Sequence, residues 1–278
     1  MNSRADLHLH CAALSDAGRV RPHNEDSVAV ATELGLAVLA DGMGGYNAGE
    51  VASGLATRLL IAELESDLGR IEAMPPTESF PLRQMLQARI NQVNLAIYEA
   101  AQTEEGCEGM GTTLVLALFF RGRLTVAHVG DSRAYRLRNG ALEQLTRDHS
   151  LLQEQIEAGL LTPTQARYSM NRNLVTRAVG VDPTVVAEIH EHDVRTGDIV
   201  LMCSDGLNDM IADEVIATIL VEADGDTEIA AGRLIEAAKE NGGRDNVSVI
   251  LIRVDGGADL KPGPEAAGII SRVRHWLG

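Results

Sequence analysis

Four short acidic motifs place carboxylates where they could act together: Asn24-Glu25-Asp26, Asp41-Gly42-Met43-Gly44-Gly45, Ser204-Asp205-Gly206 and Arg244-Asp245-Asn246. Each borders a run rich in apolar residues. Gly or Asn accompanies most of the acids, and these are the residues that permit the sharp turns at which a buried strand ends. Several carboxylates gathered at one end of a fold repel one another strongly unless cations sit between them. An all-carboxylate donor set, with no His or Cys at ligand spacing, suits hard ions such as Mg²⁺ or Mn²⁺ rather than zinc. The chemistry these residues point to is metal-dependent hydrolysis.

Strands and helices must hold such a set. Thr113 to Phe120 and Leu124 to Val129 flank Arg121-Gly122-Arg123 and read as a hairpin. Leu36 to Ala40, Ile199 to Cys203 and Val247 to Val254 are further apolar runs of strand length, and their continuity implies burial on both faces. Helical stripes recur at Val51, Leu55, Leu59 and Ala62, then at Leu82, Leu86, Ile90, Val93 and Ile97, introduced by Pro81. A third stripe, Ile229, Ala230, Leu234, Ala237 and Ala238, is stopped by Gly242-Gly243. Strands dominate, tight turns join several neighbours, and long helices intervene. That pattern predicts an α+β sandwich of antiparallel sheets covered by helices rather than a doubly wound parallel sheet.

A chain of 278 residues fits one large domain or two small ones, and 45% hydrophobic content supplies a sizeable core. Only 3% is aromatic, so Ala, Val, Leu and Ile must fill that core. A net charge of −16 argues against nucleic-acid binding and against anionic membranes. Met1 to Asp6 is polar, and no apolar stretch reaches the length of a membrane span, so the cytoplasm is the expected location. Cys11, Cys107 and Cys203 are far apart, and Cys11 and Cys203 read as buried reduced thiols.

The ordered set of motifs resembles the type 2C metal-dependent serine/threonine protein phosphatase family in its bacterial form. It runs from Ser15 through Arg21 to Ser27, then Ala40 to Gly45, Gly109-Met110-Gly111-Thr112-Thr113 and Val129-Gly130-Asp131-Ser132-Arg133-Ala134-Tyr135. Asp148-His149-Ser150, Cys203-Ser204-Asp205-Gly206-Leu207 and Asp245-Asn246-Val247 complete it. A lone Asp-Gly pair says little; the ordered set is specific.

The resemblance implies a four-layer sandwich of two central antiparallel β-sheets flanked by helix pairs, with the catalytic domain spanning 1–255. Within it 148–180 forms a flap, and 256–278 is a linker and short tail ending in an amphipathic piece, Ile269 to Leu277. It further implies two tightly bound Mn²⁺ or Mg²⁺ ions and a third, weaker one. Asp41 would bridge the pair and the Gly42 carbonyl would bind one ion. Asp205 and Asp245 would complete the other ion's shell, Asp26 would ligate or hydrogen-bond metal waters with Glu25 a weaker candidate, and Asp131 with Asp205 would hold the third. Arg21, forking onto the substrate phosphate, and Asp41 are the catalytic residues.

The activity implied is hydrolysis of phosphoserine and phosphothreonine by direct attack of a water bridging two ions, on phosphoproteins, opposing a cognate Ser/Thr kinase, by a monomer. The alternatives are a catalytically weak binding module of the same fold and a hydrolase of small phosphoesters. Gly42 to Gly45 lacks the Lys-Ser/Thr of a nucleotide loop. Two departures stand out. Met43 occupies the place of the His proposed as general acid in many eukaryotic relatives, which leaves a metal-bound water or His23 as the proton donor. Ser169 to Asn173 replaces a His-Pro-x-Arg-Asn flap stretch.

Overall fold

The computed structural model describes residues 7–45, 48–72, 80–162, 165 and 174–256. The expectations for Ser169 to Asn173 and for the tail from Ile269 lie outside them.

The chain begins with β1 (His8–Asp16), β2 (Asp26–Ala31) and β3 (Leu36–Met43), followed by two long helices, α1 (Ala48–Glu72) and α2 (Leu82–Thr103). Short β4 (Gly111–Thr112) leads into β5 (Leu114–Phe120), β6 (Arg123–Val129), β7 (Arg133–Arg138) and β8 (Ala141–Gln144). Then come α3 (Leu151–Glu157), β9 (Glu188–Asp193) and β10 (Ile199–Cys203). The described fold closes with α4 (Asp205–Asn208), α5 (Asp213–Glu222), α6 (Thr227–Glu240) and β11 (Val247–Gly256).

These strands form two antiparallel sheets, one ordered β1-β11-β10-β7-β8 and the other β2-β3-β5-β6-β9 with β4 against the end of β3. Alternation along β3 shows why. Ala37 and Leu39 point between the sheets, beside Val115, Val200 and Ile252, while Leu36, Val38 and Ala40 point at the helices α1 and α2. The other sheet buries Leu201 and Val249 against Ile216 of α5 and Leu234 of α6. Helices, sheet, sheet, helices: the four layers are those the resemblance implies, and both sheets are covered on both faces.

The hairpin turns at Arg121 and Gly122, both with positive φ (48° and 71°), the backbone of a two-residue turn whose twist matches the strands it joins. The face that α1 buries differs from expectation. Val51 is 38% exposed, while Ala52, Ala56, Leu60, Leu64 and Leu68 are fully buried, one position on. Small alanines let the helix lie close on the sheet, so the tightest contact falls on them and Leu55 and Leu59 flank it. Ile229 likewise is 49% exposed, and α6 packs through Ala230, Leu234 and Ala238. Cys203 is buried as expected, but Cys11 is only half-buried. No helix among the described residues is long and apolar enough to cross a membrane.

Candidate active site

The motif acids come from strand ends of both sheets. Asp26 opens β2 and pairs in register with Asp41 of β3. Asp131 lies in the turn between β6 and β7, Asp205 is the first residue of α4 directly after β10, and Asp245 stands two residues before β11. Together with Arg21, Glu25, Gly42, Met43, Thr113, Val175 and Asn246, four of these acids (Asp41, Asp131, Asp205 and Asp245) line a cleft of about 240 Å³ at one end of the sandwich. Asp26 sits behind them. His23 is exposed on its loop and is not among the described residues that line the cleft.

Gly42 is needed where it stands. A Cβ there would collide with the carbonyls of Gly49 and Glu25, so β3 could not approach the start of α1 this closely. Gly206 is confined in the same way by the Asn246 carbonyl, which brings α4 against β11 and Asp205 beside Asp245.

Hydroxyls hold the acids in place. Asp41 N–H donates to Thr113 Oγ1 (3.0 Å), the Asp41 carbonyl accepts from Thr113 N–H (2.8 Å) and Thr112 Oγ1 (2.9 Å), and Thr113 Oγ1 bonds Ser132 Oγ at 2.7 Å beside Asp131. Ser204 Oγ donates to Asp26 Oδ2 (2.8 Å) and accepts from Ser248 N–H (3.0 Å). Thr112, Thr113, Ser132, Ser204 and Asn246 all stand within the sequence motifs, yet the sequence assigns none of them a partner. A neutral hydroxyl or amide carries no sign of its partner until the fold supplies one.

The cluster is electrostatically loaded. Burial pushes Asp26 up to about 6, and the neighbouring Asp245 charge adds to it. Burial, then the charges of Asp26, Asp205, Asp131 and Asp245, hold Asp41 well above the ordinary carboxylate range. Asp205 is raised by burial and by Asp131, Asp209, Asp245 and Asp26. Asp131 is pushed up to about 6 by burial and by Asp148. Against them stands Arg21, whose Nη2 donates to Asp245 Oδ2 at 2.7 Å, a pairing that raises the guanidinium's own affinity for its proton. Asp26 Oδ1 is buried with no hydrogen-bond donor among the described residues. An orphaned carboxylate oxygen among mutually repelling acids is the chemistry of a divalent-cation site, and oxygen donors alone fit a hard ion.

Residues 19–223 match the sequence profile of a family described as protein phosphatase 2C. The chain belongs to the protein phosphatase 2C family. It is 42% identical over 257 residues to the serine/threonine protein phosphatase PstP of Mycobacterium tuberculosis, covering 91% of this chain and 46% of that protein. The chain therefore spans about half the length of that relative. It is 36% identical over 250 residues to the serine/threonine phosphatase Stp of Listeria monocytogenes, covering 89% of this chain and 96% of Stp. A crystal structure of the catalytic domain of PstP in complex with two manganese ions superposes with a TM-score of 0.77 at 39% identity, over 90% of this chain and 99% of that one.

A second group of possible ligands in this protein phosphatase 2C chain, His128, His149 and Glu188, lies outside the cleft. Its geometry does not suit an ion. The two imidazoles are stacked, 4.7 Å apart and 19° from parallel, so their in-plane lone pairs do not converge. His149 Nδ1 accepts from Gly130 N–H at 3.2 Å, which puts the ring proton on Nε2, facing Glu188 Oε2 at 3.3 Å. The Arg177 guanidinium is also within 3.5 Å of that nitrogen. The group braces the Gly130 turn that precedes Asp131.

Proposed function

We propose that this chain is a serine/threonine protein phosphatase that hydrolyses phosphoserine and phosphothreonine in phosphoproteins with Mn²⁺ or Mg²⁺ as cofactor. One observation carries the reading: Asp41, Asp131, Asp205 and Asp245, brought from both sheets, converge on one cleft. Asp41, the Gly42 carbonyl, Asp205 and Asp245 would hold two ions with Asp26 behind them, and Asp131 with Asp205 would hold a third, weaker one. When bound, the ions supply Lewis acidity to the phosphoryl oxygens and lower the pKa of coordinated water toward neutrality.

The chain's own residues do the rest. Arg21 reaches over the cleft with its charge enforced by Asp245 and presents a planar fork of donors to a phosphate dianion. The Thr112–Thr113–Ser132 hydroxyls fix the Asp41 backbone, so that its carboxylate is positioned before substrate arrives. Val175, placed by the Ser150–Val175 bridge, closes one wall with an apolar side chain.

The proposal extends to a kinase that supplies the phosphoproteins, to a monomer, to the cytoplasm, and to a catalytic unit within 1–255. β11 supports that boundary to within one residue, since it runs to Gly256. The decisive assay compares a phosphothreonine peptide with a free nucleotide, each with Mn²⁺ and with excess chelator. Turnover of the peptide alone, only with Mn²⁺, is the expected result. Preference for the nucleotide would favour a small-phosphoester hydrolase, and no turnover of either would leave a binding module.

A further inference from the structure

Between β1 and β2 the chain leaves the sheets for residues 17–25, the loop that carries Arg21. Its far end is tied through Asn24 Nδ2, which donates to Ser15 Oγ (2.7 Å), and through the Glu25 carbonyl, which accepts from Gly42 N–H (3.1 Å). Gly18 N–H donates to Asp16 Oδ1 and Arg19 N–H to the Gly243 carbonyl, both near the start of the loop. The Arg21 side chain is more than half exposed, and among the described residues its hydrogen-bonded partner is Asp245.

We propose that Asn246 is the positioning residue for Arg21, stapling the loop on both sides of it through one buried amide. Asn246 Nδ2 donates to the Ala17 carbonyl (3.0 Å) and to the His23 carbonyl (2.9 Å), and its Oδ1 accepts from Glu25 N–H (2.8 Å). Three loop positions, one before Arg21 and two after it, are thus held by a side chain only 6% exposed. The amide's orientation follows from its partners, because two carbonyls require the NH₂ group and one N–H requires the oxygen. Asn246 follows Asp245, so the residue that holds the loop and the residue that holds the Arg21 guanidinium are neighbours on one backbone. Their own backbone is locked, since Gly206 packs directly on the Asn246 carbonyl.

A carboxylate of the same shape could not replace this amide. It would accept from Glu25 N–H but turn its other oxygen toward two carbonyls, in a buried setting where such repulsion is poorly screened. The loop would part from the segment that enters β11, and Arg21 would lose its position over the cleft while the other cleft carboxylates stayed in place. The role rests on the reading of Arg21 as the phosphate ligand, so the test separates the two.

In the full chain with saturating Mn²⁺, Arg21→Ala, Asn246→Asp and the double variant are compared on a phosphothreonine peptide, with inhibition by inorganic phosphate as a second readout. Arg21→Ala is expected to raise KM and the phosphate inhibition constant by roughly ten- to a hundredfold, the worth of a charge-assisted pair of hydrogen bonds. Asn246→Asp is expected to raise both in parallel, with kcat and the Mn²⁺ activation constant changed by less than about threefold, and the double variant to be no worse than Arg21→Ala alone. If Arg21→Ala leaves KM unchanged, the phosphate-ligand reading fails, whatever Asn246 does. If Arg21→Ala behaves as expected but the two effects multiply, or Asn246→Asp acts on kcat or Mn²⁺ activation instead, Asn246 does not act through Arg21. Asn246→Ser, which keeps one small hydroxyl and adds no charge, gives the same comparison should the aspartate variant fold poorly.

Discussion

Asp26 and Asp41 stand directly opposite each other on the β2–β3 ladder, two acids at a cross-strand position where like charges ordinarily destabilise a sheet. Both are raised, Asp26 to about 6 and Asp41 well above the carboxylate range, chiefly by burial. The pair is tolerable when protonated or when a cation lies against it.

This makes stability depend on pH in a direction that chelator reveals. An acid whose pKa rises on folding holds its proton more tightly in the folded state. Its contribution is fully present below the unfolded carboxylate pKa of about 4 and is lost as pH climbs through the folded value. For Asp26 and Asp131, both near 6, the loss falls between about pH 4 and 6. The lowered acids paired with Arg or Lys, such as Asp67 and Asp16, act in the opposite sense but equally with and without ion. The difference in Tm between saturating Mn²⁺ and EDTA should therefore widen from pH 5 to pH 7.5, by several degrees if the site contributes a few kcal/mol. An equal difference at both pH values would show that these carboxylates do not hold the ion.

Asp41→Asn should lower kcat with Mn²⁺ by at least about a hundredfold, the scale of losing one electrostatic contact to the transition state. In EDTA the same variant should melt no lower than wild type, because it removes a charge from the repelling set while Thr112 and Thr113 still hold the backbone. Wild-type rates at limiting Mn²⁺ would remove Asp41 from the metal site.

Asp131→Ala should separate the ions. Asp131 lies on the β6–β7 turn, away from the Asp26–Asp41 ladder, and its raised pKa owes more to Asp148 than to the other cleft acids. Calorimetry should find tight Mn²⁺ binding preserved to within about threefold, while kcat falls by about tenfold or more. Loss of the tight sites would place Asp131 among their ligands instead.

A chain ending at Gly256 should keep phosphopeptide hydrolysis and its thermal transition. Among the described residues three core clusters and the cleft are already complete, and β11 finishes its ladder with β1 through the His8–Gly256 pair. Aggregation of the shortened protein, or a Tm several degrees lower, would make the remainder of the chain part of the fold.

The carboxylate set, its preference for hard ions, the hairpin at Arg121-Gly122 and an α+β sandwich of antiparallel sheets covered by helices were legible in the amino-acid order. Each depends on local chemistry: which side chains can ligate, which residues turn, and which apolar runs must be buried on both faces. The face that α1 buries was not legible, because alanines such as Ala52 and Ala56 rank low in hydrophobicity yet allow the closest packing. Nor was the pairing of Asp26 with Asp41, whose register is set by the whole ladder, or the reach of Asn246 across to Ala17, His23 and Glu25. An amide or hydroxyl gains a task only when distant backbone arrives within hydrogen-bonding distance, and that distance is decided by the packing of two sheets rather than by neighbours in sequence.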